Sequence, residues 1–253
     1  MIKKGEFILL YGDRKAKYLI KYEPLKYVDT HLGRVKLPEK AEFGEGIRST
    51  SGNMFYILHP SLNDLSMRVK RTTTIIYPKE AGMIILELGV KSGSKVIEVG
   101  SGSGAFTVLL SSIVGDKGKV YSFERREEFL ENAKKNVERY GLGENVKFVL
   151  RDVEEDGFGV KNADAVFIDV PEPWKLINKA YESLKLGHRL GCLSPNIEQV
   201  QKTIEAMKEA GFINIKCLEM FERQIRIKKN MTRPVDRMIA HTGYIYFGNK
   251  IKK

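Results

Sequence analysis

Val96-Ile97-Glu98-Val99-Gly100-Ser101-Gly102-Ser103-Gly104-Ala105-Phe106 is the stretch on which the fold turns. A short apolar run reads as a strand, Phe106 to Val114 reads as a helix, and three glycines fall between them. Glycines there let the backbone turn sharply and approach a ligand closely. Downstream the pattern repeats. Strands are expected at Val120 to Phe123, Val146 to Leu150, Ala165 to Ile168, Leu190 to Leu193, Ile213 to Met220 and Gly243 to Phe247. Helical faces alternate with them: Phe129, Ala133, Val137 and Tyr140; Ile177, Ala180, Tyr181 and Leu184; Ile197, Val200, Ile204 and Met207. These stop at Gly141, Gly187 and Gly211, and an earlier helix through Ala81, Ile84, Ile85 and Leu88 stops at Gly89. The series predicts an α/β fold, a doubly wound and mostly parallel sheet of seven strands.

Upstream the punctuation differs. Short apolar runs at Phe7 to Tyr11, Tyr18 to Ile20 and Phe55 to Leu58 are separated by Gly, Asp and Pro. Residues 1–66 therefore read as a small β-rich module and residues 67–253 as the α/β domain. Asp64 to Thr74 reads as a linker with Arg68, Lys70 and Arg71 exposed.

The chain carries 43 Lys and Arg against 32 Asp and Glu, net +11 over 253 residues. Residues 222–253 hold nine basic and two acidic residues, net +7. Such a basic excess suits a polyanionic partner without identifying one. No apolar run approaches a membrane span and no secretory leader is apparent, so a soluble, cytoplasmic protein is expected. Two cysteines and four scattered histidines exclude a disulfide framework and give no metal-binding spacing, so no metal is expected. Cys192 and Cys217, on predicted strands, are expected to be buried free thiols.

The acidic residues around the glycine loop favour one donor. Glu124 lies 20 residues after Gly104, where a carboxylate can accept hydrogen bonds from both ribose hydroxyls of a nucleoside. The spacing Gly100-x-Gly102-x-x-Ala105 also fits a dinucleotide fingerprint, so NAD competes. Glu98, placed to hold an ammonium, weighs against it, as do a third glycine at Gly104 and Asp152, placed for an adenine amino group. S-adenosyl-L-methionine has an ammonium and a sulfonium and no phosphate, so it suits carboxylates better. A glycine turn with no ligand is the bland alternative.

Asp164-Ala165-Val166-Phe167-Ile168-Asp169-Val170-Pro171-Glu172-Pro173-Trp174 is the second signal. Ligands in open α/β sheets sit beyond the carboxyl ends of strands, which puts Asp169 in the crevice of the glycine loop. A carboxylate at an apolar strand end is a functional candidate. Trp174 alone reads as a residue packed at a helix start.

Together, the glycine loop, Glu124, Asp152-Val153, Asp169-x-Pro171-x-Pro173-Trp174, Arg233-Pro234, His241-Thr242-Gly243-Tyr244 and Thr74-Ile75-Ile76-Tyr77-Pro78-Lys79 resemble the tRNA (adenine-N1) methyltransferases that act on T-loop position 58. The resemblance runs from about Thr72 to Phe247. The glycine loop is generic to class I methyltransferases; the Asp169 and Arg233–Tyr244 runs are more specific. The resemblance implies a Rossmann-like methyltransferase domain, S-adenosyl-L-methionine as donor, tRNA as substrate and a homotetramer. The target is position 58, with 57 left open. It implies a donor site drawn from Glu98, Gly100, Gly102, Ser103, Gly104, Ala105, Phe106, Glu124, Asp152, Val153 and Asp169. Asp169 becomes the candidate acceptor of charge developing at adenine N6, and Tyr77 a candidate to stack on the exposed base. Arg223, Arg226, Lys228, Lys229, Arg233 and Arg237 become candidate phosphate contacts. One departure stands out: Leu193 occupies a place where that family usually has tyrosine. A methyltransferase of another substrate class, on protein carboxylates or corrinoid precursors, would explain the glycine loop but not the Asp169–Trp174 run. A non-catalytic tRNA-binding subunit would be expected to have lost the glycine loop or Asp169.

Overall fold

The computed structural model describes residues 1–13 and 16–253, which form two compact units, Met1–Arg68 and Val69–Lys253. In the first, β1 (Phe7–Gly12), β2 (Ala16–Lys21), β5 (Gly46–Arg48) and β6 (Met54–Leu58) make an antiparallel sheet of order β2-β1-β6-β5. A two-stranded ribbon, β3 (Tyr27–Val28) with β4 (Val35–Lys36), accompanies it. Ile8, Leu10, Val35, Leu37, Phe55 and Ile57 are buried together as its core. A short helix, α1 (Leu62–Met67), follows where a linker was expected. Its signal is a capping box: the Ser61 side chain takes the Asp64 N–H, and Asp64 returns a bond to the Ser61 backbone.

The second unit opens with α2 (Pro78–Leu88), which has Pro78 in its first turn and Gly89 as its cap. Then come β7 (Lys95–Val99), α3 (Ala105–Val114), β8 (Lys119–Glu124), α4 (Glu127–Arg139), β9 (Val146–Leu150), the single turn α5 (Val153–Asp156) and β10 (Ala163–Ile168). A 3-10 turn at Pro173–Leu176 leads into α6 (Ile177–Ser183) and β11 (Leu184–Ser194). The chain ends with α7 (Ile197–Ala210), β12 (Phe212–Glu219), a ribbon of β13 (Ile225–Arg226) with β14 (Arg233–Pro234), and β15 (Tyr244–Lys250). The seven-stranded sheet has the order β12-β15-β11-β10-β7-β8-β9 and is parallel except at β15. The expected doubly wound α/β sheet is therefore present. β7 and β10 lie at its centre and are almost wholly buried, as strands covered on both faces must be. No helix among the described residues is long and apolar enough to cross a membrane.

Three local expectations are corrected. Leu184 continues the helical spacing of Ile177, Ala180 and Tyr181, yet α6 stops at Ser183. Leu184 is extended because it pairs in parallel with Ala163 of β10, a long-range bond that local periodicity cannot report. Cys192 is buried, but Cys217 is exposed, because β12 forms the edge of the sheet. Trp174 does stand at a helix start, the 3-10 turn Pro173–Leu176, but it is only half-buried, with Lys202 Nζ 5.2 Å from its ring centre.

Candidate active site

The switch between β7 and β10 leaves a cavity of about 510 Å³ beyond the carboxyl ends of the strands. That is enough for a nucleoside-sized ligand. Gly100, Gly102, Glu124, Asp152, Val153, Asp169 and Tyr77 all line it. Glu98, Ser103, Gly104, Ala105 and Phe106 do not, and the reasons differ.

Gly100 has φ +94°, and a Cβ there would stand 2.3 Å from the Asp169 carbonyl oxygen. The backbone of the glycine loop thus touches the end of β10, and only a residue without a side chain permits that. Gly104 also has a positive φ, but its missing Cβ faces Ala133 of α4, 2.9 Å from its Cα. That glycine brings α3 against α4. Ala105 and Phe106 are buried in α3, with Phe106 packed on Phe167 at 4.9 Å between ring centres. Ser103 Oγ accepts the Thr72 and Thr73 N–H groups, each at 3.0 Å, and so pins the segment that runs along the cavity wall to Tyr77. Asn136 supports the same segment, accepting the Lys70 N–H and donating to the Lys70 carbonyl, each at 2.9 Å.

Four carboxylates surround this corner. Glu124 ends β8, almost buried; its oxygens accept the backbone N–H groups of Gly102 at 3.3 Å, Arg125 at 3.1 Å and Arg126 at 3.2 Å. Asp152 caps α5 by accepting the Glu154 N–H at 2.9 Å. Glu98 lies behind the wall, where one oxygen accepts Thr107 Oγ1 at 2.7 Å and Ser122 Oγ at 2.6 Å. Burial, then repulsion from Asp169 and Glu124, pushes its carboxyl up to about 7 against those hydrogen bonds. Asp169 differs from the other three. Its backbone N–H is fixed on the Val99 carbonyl at 2.9 Å, but its carboxylate has no hydrogen-bond partner among the described residues. Burial alone pushes it up to about 6. It is a held carboxylate facing open volume.

The cavity lining also holds residues that sequence reasoning did not single out as a site. Glu80 and Thr242 line the cavity and bond to each other. Glu80 is buried beside Lys79, whose Nζ stands 3.0 Å from its Oε1. An acidic residue two positions after Pro78 reads as an ordinary first-turn helix residue, so only the fold exposes this pairing. Leu193 also lines the cavity.

The six basic candidates lie elsewhere. Arg223, Arg226, Lys228, Lys229, Arg233 and Arg237 are all exposed on the excursion carrying β13 and β14, and none lines the cavity. Arg233 is paired with Asp236, and Arg223 donates to the Val235 carbonyl. Among the described residues no group of His, Cys, Asp and Glu is placed to hold a metal ion.

Comparison with known proteins agrees with this geometry. The family model described as "tRNA methyltransferase complex GCD14 subunit" matches residues 53–242. A Methanocaldococcus jannaschii protein, tRNA (adenine(57)-N(1)/adenine(58)-N(1))-methyltransferase TrmI, is 38% identical over 94% of this chain and 92% of its own. The solved tRNA (m1A58) methyltransferase TrmI of Aquifex aeolicus is 34% identical, with a TM-score of 0.83 over 100% of this chain and 99% of its own. A solved Thermotoga maritima protein, described as a SAM-dependent O-methyltransferase, is 40% identical, with a TM-score of 0.92 over 100% of this chain and 95% of its own.

Proposed function

The chain belongs to the tRNA methyltransferase complex GCD14 subunit family, and from that premise we propose that it transfers a methyl group from S-adenosyl-L-methionine to N1 of adenosine 58 in the T-loop of tRNA. Adenosine 57 is a second target, as the name of the Methanocaldococcus relative suggests. One observation carries the reading: Asp169, a carboxylate without a protein partner, faces the cavity that the glycine loop floors.

The cavity fits the donor. Its corner is carboxylate-rich, which suits an ammonium and a sulfonium. When bound, the donor supplies an electrophilic methyl: the N1 lone pair bonds to its carbon as the carbon–sulfur pair returns to sulfur. The protein's own contribution is positioning. Glu124 takes the ribose hydroxyls and Asp152 with Val153 the adenine ring of the donor. Glu98 acts through Ser122 and Thr107 behind the wall, adding negative potential where the ammonium sits. Tyr77 offers its ring to the exposed target base. Asp169 accepts a hydrogen bond from N6 of the target, whose proton becomes more acidic as N1 turns cationic.

Residues 1–66 are the β-module and 67–253 the catalytic domain, a division supported by the compact units Met1–Arg68 and Val69–Lys253. The basic hairpin takes tRNA phosphates. Assembly as a homotetramer is supported by Ile225, Ile227, Met231 and Ile239, large apolar side chains exposed on that hairpin. A tRNA substrate supports a cytoplasmic location. The decisive experiment incubates the protein with methyl-labelled donor and unmodified tRNA and maps the labelled nucleoside. Label in 1-methyladenosine at position 58 is expected; label on a ribose or other oxygen would instead favour the O-methyl acceptor named for the Thermotoga protein.

A further inference from the structure

The hairpin that carries the basic residues is an excursion between β12 and β15, and one side chain holds both of its ends. Lys79 Nζ donates to the Met220 carbonyl at 2.5 Å and to the Ala240 carbonyl at 3.1 Å. The same ammonium is 3.0 Å from Glu80 Oε1, and Glu80 also takes the Thr242 hydroxyl. Lys79 is nearly buried and Glu80 is fully so. Charge-assisted bonds of this kind are the strong ones. Both residues lie in the first turn of α2, whose N-cap is Tyr77 on the cavity wall. The other oxygen, Glu80 Oε2, is buried without a partner in the protein, although Glu80 lines the cavity. An unsatisfied buried acceptor on a residue of the cavity wall is one that a nucleotide bound there can satisfy.

We infer that Lys79 and Glu80 form a clasp that couples the basic hairpin to the target-base cavity. Lys79 is a positioning residue that sets where the hairpin leaves the sheet. Glu80 holds it with one oxygen and leaves the second for an N–H or O–H of the nucleotide that enters beside Tyr77. Phosphate contact on the hairpin and base entry then favour the same arrangement of α2. The inference rests on the tRNA-methylating reading, since it assigns the cavity's occupant.

The test compares Lys79→Met, Lys79→Arg and Glu80→Gln in the full chain. Three quantities are read: donor dissociation constant, KM and kcat for tRNA, and amide hydrogen exchange across residues 221–239. Lys79→Met should raise KM for tRNA about tenfold, speed exchange in the hairpin and leave donor affinity within about twofold. Lys79→Arg, which keeps a cation able to reach both carbonyls, should restore most of the loss. Glu80→Gln, which removes the charge and not the shape, should raise KM in the same direction. Unchanged hairpin exchange in Lys79→Met overturns the clasp. So does a loss of donor affinity as large as the loss for tRNA, which would mark both residues as merely structural. If the unaltered protein does not methylate tRNA, the functional reading fails, and hairpin exchange still decides whether the clasp exists.

Discussion

Protonation of Asp169 and Glu98 gives the site a defined pH response. Their carboxyls are pushed up to about 6 and about 7, both chiefly by burial. Folding that raises a carboxyl's pKa gives stability that is present below the unfolded value and lost as pH rises through the folded one. These groups therefore cost stability at neutral pH, and a cationic donor relieves the cost. Donor binding should release protons and weaken as pH falls from 7 to 5; a dissociation constant flat across that interval in calorimetry would remove the carboxylates from the donor site. Asp169 must be ionised to accept the N6 proton, so kcat/KM should fall about tenfold per pH unit below about 6. Asp169→Asn should keep tRNA binding and weaken donor binding by no more than the drop in pH does, while lowering kcat about 10²–10⁴-fold, read by single-turnover methyl transfer at saturating donor. Glu124→Ala should raise the donor dissociation constant at least tenfold, through loss of charge-assisted bonds to the ribose.

At the scale of elements, the glycine loop was legible and its division of labour was not. Strand, glycines and helix follow from residues 96–106, and the acids at the ends of β8 and β10 follow from strand spacing. The third glycine looked like part of a ligand cradle. It is a packing contact between α3 and α4, because nothing in a linear spacing says that Ala133 lies 2.9 Å from the place of its Cβ. This separates two substitutions that resemble each other on paper. Gly100→Ala would drive a methyl into the Asp169 carbonyl and should abolish measurable donor binding as well as destabilising the fold. Gly104→Ala should lower stability by about 1–3 kcal/mol in urea unfolding and change donor affinity less. Equal losses of donor affinity in the two variants would contradict the assignment. The end of α6 at Leu184 was hidden for a related reason: the residue keeps helical spacing while its backbone pairs with a strand 21 positions earlier. The Lys79–Glu80 pair left no trace in the sequence either, since its partners Met220, Ala240 and Thr242 are remote along the chain.

For the molecule as a whole, the net charge of +11 resolves into an exposed hairpin that combines cations with large apolar side chains. Arg226, Lys228 and Lys229 are the members of that set to neutralise, because Arg233 already faces Asp236. Their joint replacement by Gln should weaken tRNA binding and reduce the slope of log affinity against log salt by about 2 to 3. An unchanged slope would leave the hairpin to assembly alone. Oligomerisation itself can be counted by a property of the thiols. Cys192 is sealed in β11 with its thiol pushed far above the usual range, while Cys217 is exposed on the edge strand β12 and only partly shielded. Every copy of the chain thus offers one addressable sulfur to a maleimide dye, although partial burial pushes the Cys217 thiol up and slows its reaction relative to a free thiol. Photobleaching steps from single immobilised particles then report the number of copies in each, without a tag or an introduced cysteine.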